Sequence, residues 1–501
     1  MHERYALAER VDLLVVHPGA ARNIYGPLAE DFVAVEPPLW SRLIAGYAMD
    51  QDFSVRIIDA EAEGKSPASV AADAFLYRPH LVCIVASGHQ PSASTQQMSA
   101  AIETARQIKS VCVAPIIVVG GHVAALPERT LRDTRAFDYA CSGEGPLTVA
   151  ALLRGEEKSK VGDLVWRNGD CVVVNAASPL IEDLSQLRGD IWHKLPMRKY
   201  RAHNWQAFGN LSKRQPYASI YTTLGCPYKC SFCCINAPFR SNRYRMRPPI
   251  DVVAEVRTLH DRYGVSTFKV VDEMFVLNER HYGAICEGLA ALPFAEDLNI
   301  WAYARVDTVK PDKLALLRRA GVQWLALGIE SASAYVRDGA QKRLKRDDIK
   351  DVVRTIQAAG INVIGNYIFG LPDDDAESMR ATLDMALDIN TEFANFYSAM
   401  AYPGSPLYVE AMAKSWTLPD SWSGYSQHSE DCRPMDTRHV GAAEVLRFRD
   451  EAFQAYFTSP RYLDIVGQKF GHETVEHVQK MTEYRLPRRL LRKELVLEAA
   501  Q

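Results

Sequence analysis

The sequence lacks an excess of either charge. Across 501 residues, 58 Lys and Arg stand against 61 Asp and Glu, a formal net charge of −3. That balance creates no field that would draw in nucleic acid or an anionic surface. Long apolar runs are also missing. The longest, such as Pro115-Ile116-Ile117-Val118-Val119, fall far short of the ~20 residues a spanning helix needs, so no membrane span is expected. No basic segment leading into an apolar core opens the chain, so no secretory signal is expected and the cytoplasm is the expected compartment. There is no solenoid-type repeat and no low-complexity tract. The first strand-like run is not followed by G-x-G-x-x-G, which argues against a dinucleotide site.

Cysteine is present, and its distribution is uneven. Of ten cysteines, Cys83, Cys112, Cys141, Cys171, Cys286 and Cys432 are scattered, several inside apolar runs. They read as free thiols of a reducing compartment. The other four fall within nine residues, Cys226-Pro227-Tyr228-Lys229-Cys230-Ser231-Phe232-Cys233-Cys234. Such crowding points to a metal centre and not to a disulfide framework. Three of them have C-x3-C-x2-C spacing, directly after an apolar run and Gly225. Iron–sulfur clusters take a cysteine on each iron, so three cysteines holding a four-iron cluster leave one iron open. An open position is what separates catalytic metal sites from structural ones. Zinc would want a fourth ligand, and Cys234 points to the opposite side of an extended segment from Cys233.

A chain of this length is expected to form two to four domains. Residues 1–155 alternate short apolar runs (11–16, 54–59, 81–87, 115–120, 138–142) with helical patterns such as 69–76 and 94–109. This rhythm predicts an α/β, doubly wound parallel sheet covered on both faces. Ligands on such sheets bind at the carboxyl ends of the strands. The loops there carry Gly19, then Ser87-Gly88-His89-Gln90-Pro91-Ser92, then Gly120-Gly121-His122, then Gly143-Glu144-Gly145. Glycine after a strand is ordinary turn chemistry, but four such loops on one edge let a large flat ligand approach the backbone. Residues 156–215 read as a linker containing a hairpin, with a type I′ signature at Asn168-Gly169.

From 216 to 405 a second rhythm runs through six strands (219–225, 267–273, 299–306, 323–331, 362–370, 393–400), with helices such as 311–320 and 346–359 between them. Six units fall short of the eight of a closed barrel, so a partial, open TIM-type barrel is expected. Polar residues cluster at the strand ends: Asp272-Glu273; Tyr303, Arg305 and Asp307; Glu330-Ser331; Asp373-Asp374. Any one carboxylate there could simply cap the next helix; their recurrence on one rim beside a metal loop suggests a site. Residues 406–501 are mainly helical in pattern. They end in a basic amphipathic stretch from Arg485 to Lys493 that reads as a solvated surface helix or, more sharply, a membrane-surface or lipid-substrate element.

Cys226, Cys230 and Cys233, with Phe232 before the last, match the C-x3-C-x-aromatic-C signature of radical S-adenosylmethionine (SAM) enzymes. The doubly wound domain ahead of the barrel, with its loops at Ser87-Gly88-His89, Gly120-Gly121-His122 and Gly143-Glu144-Gly145, resembles the cobalamin-binding class of that superfamily. The resemblance covers roughly residues 10–405. It implies a 4Fe–4S cluster on Cys226, Cys230 and Cys233, with SAM on the free iron. It further implies SAM contacts from Phe232, Asp272, Glu273, Tyr303, Arg305, Glu330 and Ser331. Cobalamin contacts are implied for Gly19, Ser87, Gly88, His89, Ser92, Gly120, Gly121, His122, Gly143, Glu144 and Gly145. The D-x-H-x-x-G motif of many cobalamin proteins is absent, the first loop reading His17-Pro18-Gly19-Ala20, which implies cobalamin bound without that histidine.

The activity implied is methylation of an unactivated carbon, or phosphorus, of a small molecule, through a 5′-deoxyadenosyl radical and methylcobalamin. An electron donor such as flavodoxin or ferredoxin would serve it. The alternative is a non-methylating member, such as an oxidative cyclase of the anaerobic porphyrin type. A cobalamin- or redox-sensing binding protein fits the rim of SAM-type residues poorly.

Overall fold

A computed structural model describes residues 10–26, 28–88, 90–344 and 348–492. The chain forms two compact units. The first contains the described residues up to Asn23, then Pro37–Lys199 and Cys234–Arg243; the second contains Ile24–Glu36, Tyr200–Cys233 and the chain from Tyr244 onward.

The first unit is built on a seven-stranded sheet: β1 (Leu13–His17), β2 (Val55–Asp59), β3 (Leu81–Val85), β4 (Ile116–Val119), β5 (Tyr139–Cys141), β6 (Leu164–Asn168) and β7 (Cys171–Val174). Its order is β2-β1-β3-β4-β5-β6-β7. The first five strands are parallel. β1, β3 and β4 are buried along their whole length, which is why they read as continuous Val/Leu/Ile runs and not as alternating ones. Helices start where side chains can cap them. Ser66 accepts from Ser69 N–H ahead of the helix Pro67–Tyr77, whose first turn carries proline. Strand order reverses between β1 and β3, the place where doubly wound sheets of this order open a ligand crevice.

The hairpin expected within the linker pairs antiparallel to β5 and extends this sheet. Its two central residues are Gly169 and Asp170, and of these only Gly169 has a positive φ, 62°. That is the II′ pattern, in place of the I′ turn expected from Asn168-Gly169.

The second unit carries the six expected barrel strands: β8 (Tyr217–Ile220), β11 (Thr267–Val270), β12 (Asn299–Arg305), β13 (Val322–Glu330), β14 (Asn362–Phe369) and β15 (Phe393–Ser398). They are parallel and lie in chain order, with β8 at one edge and β15 at the other, an open half-barrel. Between β8 and β11 a small antiparallel pair forms, β9 (Thr223–Leu224) with β10 (Arg245–Met246). The helix before β14 runs Ile349–Ala358; residues 346–347 of its expected span lie outside the described residues.

The region after β15 is helical, at Pro406–Ala413, Ala442–Phe457, Pro460–Phe470 and His472–Glu483. The basic stretch that follows is not a free basic face. Arg488 is buried and donates to both oxygens of Asp450, at 2.8 and 2.9 Å, and Arg489 and Arg492 pair with Asp431 and Glu430. Three of its arginines are thus paired with acids, Arg488 from a buried position; Lys493 lies outside the described residues. Among the described residues no helix is long and apolar enough to cross a membrane.

Each unit takes in a segment from the chain course of the other. Ile24–Glu36 follows the first strand of the first unit yet belongs to the second. There Glu36 accepts from Lys269 of β11 at 3.0 Å, both side chains buried, and His203 lies 3.3 Å from the same carboxylate. Conversely, Cys234–Arg243 follows β8 and β9 yet belongs to the first unit.

Candidate active site

The metal loop leaves the barrel sheet at the C-terminal end of β8. Gly225, at φ 86°, makes the turn into it. The base is clamped: β9 pairs with β10, and Arg247 N–H donates to Thr222 O at 2.8 Å. In the middle, Ser231 N–H donates to Ala340 O at 3.0 Å, and its own carbonyl accepts from Leu407 N–H at 2.8 Å. Phe232 packs on the apolar group Val336, Ala340, Leu371 and Ala399. Cys226, Cys230 and Cys233 are thus carried on a loop held from three directions. None of the three is in a disulfide, and Cys226 is buried. Burial pushes its thiol up to about 11; a backbone bond from Tyr228 opposes this, and Glu273 and Cys230 add to it. A metal must drive off that proton to bind. Among the described residues no three His, Cys, Asp or Glu side chains converge on a point that could hold a single ion. A four-iron cluster takes each cysteine on a different iron.

The rim splits the two neighbouring carboxylates. Asp272 is buried and accepts from Thr222 N–H at 2.7 Å, from the Thr222 hydroxyl, and from the Thr223 hydroxyl at 2.8 Å. Its oxygens are spent on holding the base of the metal loop. Glu273 has no such partner: among the described residues no cation pairs with it and no side chain donates to it. Burial pushes it up to about 8, its own backbone N–H opposing this and the Asp272 charge reinforcing it. A desolvated carboxylate of this kind fits a ligand ammonium.

Arg305 is buried at the end of β12. Its guanidinium lies over Tyr228 of the metal loop, 4.0 Å from the ring centroid, donates to Asp307 at 2.9 Å and to Arg343 O at 2.6 Å. Nη1 keeps no protein partner among the described residues. Glu330 sits at φ 66° where the β13–β14 register shifts, a bulge that re-aims the side chain. It pairs with Lys342 at 2.8 Å, both buried. Gly328 leaves the room: a Cβ there would stand 2.5 Å from Glu330 Oε1 and 2.7 Å from Lys342 Nζ. Burial works against the Lys342 ammonium, but Glu330 and Cys230 outweigh it and hold it above its usual value. Ser331 is fully buried and turned to Thr382, 3.2 Å away, and to Ser333 N–H. Tyr303 is half-buried; burial raises it, with Tyr397 and Glu273 among its neighbours.

Sequence reasoning missed Lys342, which reaches the site from a turn and not from a strand end. It also missed Asn366 and Asn395. Register aligns Arg305, Gly328, Asn366 and Asn395 in one row across β12–β15. Asn366 donates to Leu327 O at 3.1 Å and accepts from Asn395 at 2.9 Å. An asparagine within a mainly apolar strand was the available signal.

In the first unit most of the loop glycines are spent on packing. A Cβ at Gly88 would stand 2.7 Å from the Ala93 carbonyl, at Gly120 2.4 Å from Ala86 O, at Gly143 2.3 Å from Asp163 Oδ2, and at Gly145 2.9 Å from Val119. Gly19 is tight against Ala60 at 3.3 Å, and only Gly121 of this set faces open space. Ser87 and Ser92 are half-buried, and Glu144 is buried. His122 is buried with Nε2 3.3 Å from Met98 Sδ, and burial lowers it to about 3. His89 lies outside the described residues. Gly121, in the loop after β4, has open space where a side chain would stand, which suits a broad cofactor.

Two family models match the chain, the radical SAM superfamily over residues 220–386 and the B12 binding domain over residues 27–153. The chain belongs to the cobalamin-binding radical SAM family. Its radical SAM and B12 binding domains make it an enzyme with a 4Fe–4S cluster, SAM and cobalamin as its cofactors. It is 27% identical over 432 residues to an uncharacterised methyltransferase of Pyrococcus horikoshii, covering 85% of this chain and 89% of that one. It is 26% identical over 409 residues to the anaerobic magnesium-protoporphyrin IX monomethyl ester cyclase of Cereibacter sphaeroides, covering 79% of this chain but 63% of that one. Among solved structures, the radical SAM methyltransferase TsrM from Kitasatospora setae, with cobalamin and a [4Fe–4S] cluster bound, shares the fold. Its TM-score is 0.67 at 17% identity, covering 90% of this chain and 89% of that one.

Proposed function

We propose that this radical SAM enzyme is a methyltransferase that adds a methyl group to an unactivated carbon, or phosphorus, of a small molecule. One observation carries the reading: three cysteines sit on one rim loop, and Cys226 among them feels the charge of Glu273, a half-buried carboxylate with which no cation pairs among the described residues. Cobalamin-fold architecture in the first unit and the methyltransferase relatives support the methyl-transfer outcome. When bound, the cluster with SAM supplies one-electron chemistry, and cobalamin supplies the methyl group.

The chain's own residues hold and orient. Cys226, Cys230 and Cys233 hold the cluster. Glu273 accepts from the SAM ammonium, and Arg305, through Nη1, faces its carboxylate. Glu330, fixed by Lys342, accepts from a ribose hydroxyl. Tyr303, Phe232 and Ser331 shape the pocket, Phe232 and Ser331 by packing the loops behind it. Asp272 holds the base of the metal loop. In the first unit Gly19, Ser87, Gly88, Ser92, Gly120, Gly121, His122, Gly143, Glu144 and Gly145 form the cobalamin edge. Ten cysteines with no disulfide among them suit a reducing cytoplasm, where a flavodoxin- or ferredoxin-type protein supplies the electron.

Likeness to the cyclase favours a second, non-methylating reading. Anaerobic incubation of the reconstituted enzyme with SAM, reductant and candidate substrates separates the two. Methylation yields S-adenosylhomocysteine and 5′-deoxyadenosine in equal amounts; 5′-deoxyadenosine alone would replace it with the second reading.

A further inference from the structure

The segment Cys234–Arg243 starts one residue after the last cluster cysteine and belongs to the first unit. Its short turn Ala237–Phe239 packs against the helix Gly121–Ala125, and the buried Phe239 ring stands 6.2 Å from Trp40. Arg240 follows in a left-handed conformation, φ 53°. Its Nη2 donates to Ser142 O at 2.5 Å, to Ser142 Oγ at 3.1 Å and to Asp163 Oδ1. Asp163 is buried, and its carbonyl accepts from Ser142 N–H at 2.8 Å. Its carboxylate lies where a Cβ of Gly143 would stand. Arg240 and Asp163 therefore fix Ser142 and Gly143 from two sides. No other cation pairs with Asp163 among the described residues.

One strap thus touches two of the candidate cobalamin loops, those at Gly121 and at Ser142–Gly145, while its first residue is bonded to Cys233. We propose that Arg240 is a positioning residue that couples cobalamin binding to cluster assembly. Once the cluster gathers Cys226–Cys233, the start of the strap is immobilised, and less ordering is left for cobalamin to impose when it binds. By linkage, bound cobalamin favours the ordered cysteine loop to the same degree. The inference rests on the cluster and cobalamin sites assigned above.

Hydroxocobalamin is the probe, with its Kd measured by equilibrium dialysis on the full chain, with and without the reconstituted cluster. In the wild type the cluster should tighten binding by about fivefold or more, the lower range of measured couplings. In Arg240→Ala both forms should bind weakly, with a ratio near one. Arg240→Lys keeps the charge beside Asp163 on a shorter side chain without the planar guanidinium that reaches Ser142, and should recover part of the ratio. Equal Kd values in the two wild-type forms, or an undiminished ratio in Arg240→Ala, would overturn the coupling and leave the sites standing. If Arg240→Ala does not fold, Arg240→Lys decides, and a ratio unchanged from wild type overturns the proposal. If neither wild-type form binds hydroxocobalamin, the cobalamin site and the coupling both fall.

Discussion

The backbone N–H of Thr222 donates to Asp272 Oδ1 at 2.7 Å, and this bond gives two adjacent carboxylates different work. Asp272 ties down the base of the metal loop, and Glu273 is left for a ligand. Asp272→Ala should therefore cost stability, by ~1–3 kcal/mol for the stranded Thr222 N–H alone, read as a lower denaturation midpoint. Glu273→Gln should not lower that midpoint, and should weaken SAM binding by roughly 10–100-fold, the worth of a charge-assisted bond. Equilibrium dialysis of SAM against both variants checks the division.

Glu273 also sets a pH dependence. Its folded value, about 8, stands above the ordinary 4.5. Between these two pH values the folded chain holds the proton more tightly than the unfolded one. Stability of the SAM-free protein should therefore be greatest at the acid end of this window and fall as pH rises toward 8. Glu273→Gln should flatten that part of the Tm-against-pH curve, and saturating SAM should flatten it in the wild type.

The Glu330–Lys342 pair is buried on both sides. Lys342→Met strands the carboxylate and should cost ~3–5 kcal/mol in urea denaturation. Adding Glu330→Gln should recover most of that loss, because no buried charge is then left alone. A double variant as unstable as the single one would show that Lys342 packs but does not pair.

Cys226, Cys230 and Cys233 should each be needed for the cluster, and Cys234 should not. Alanine at any of the first three should abolish the visible absorbance of the reconstituted protein. Cys234→Ala should keep it, since Cys234 opens the strap that joins the other unit.

The six strand–helix units, the half-barrel and the cysteine spacing could all be read from the sequence, because period and spacing are local properties. The division between Asp272 and Glu273 could not, since it is decided by Thr222 fifty residues earlier. Lys342 was equally hidden: it follows a turn in which Gln341 takes a left-handed φ of 55°. The loop glycines looked like room for a ligand. At Gly88, Gly120, Gly143 and Gly145 the missing side chain also makes room for neighbouring protein atoms, a second role that requires knowing what packs behind them.

The exchange of Ile24–Glu36 for Cys234–Arg243 has a consequence for anyone cutting the gene. A fragment ending at Lys199 would carry Asp163 without Arg240, and the remainder would carry Lys269 without Glu36. Each piece would bury a charge whose counterpart was left on the other. The halves are therefore not interchangeable cassettes, and a working chimera with a relative must transplant the two straps together with the units they complete.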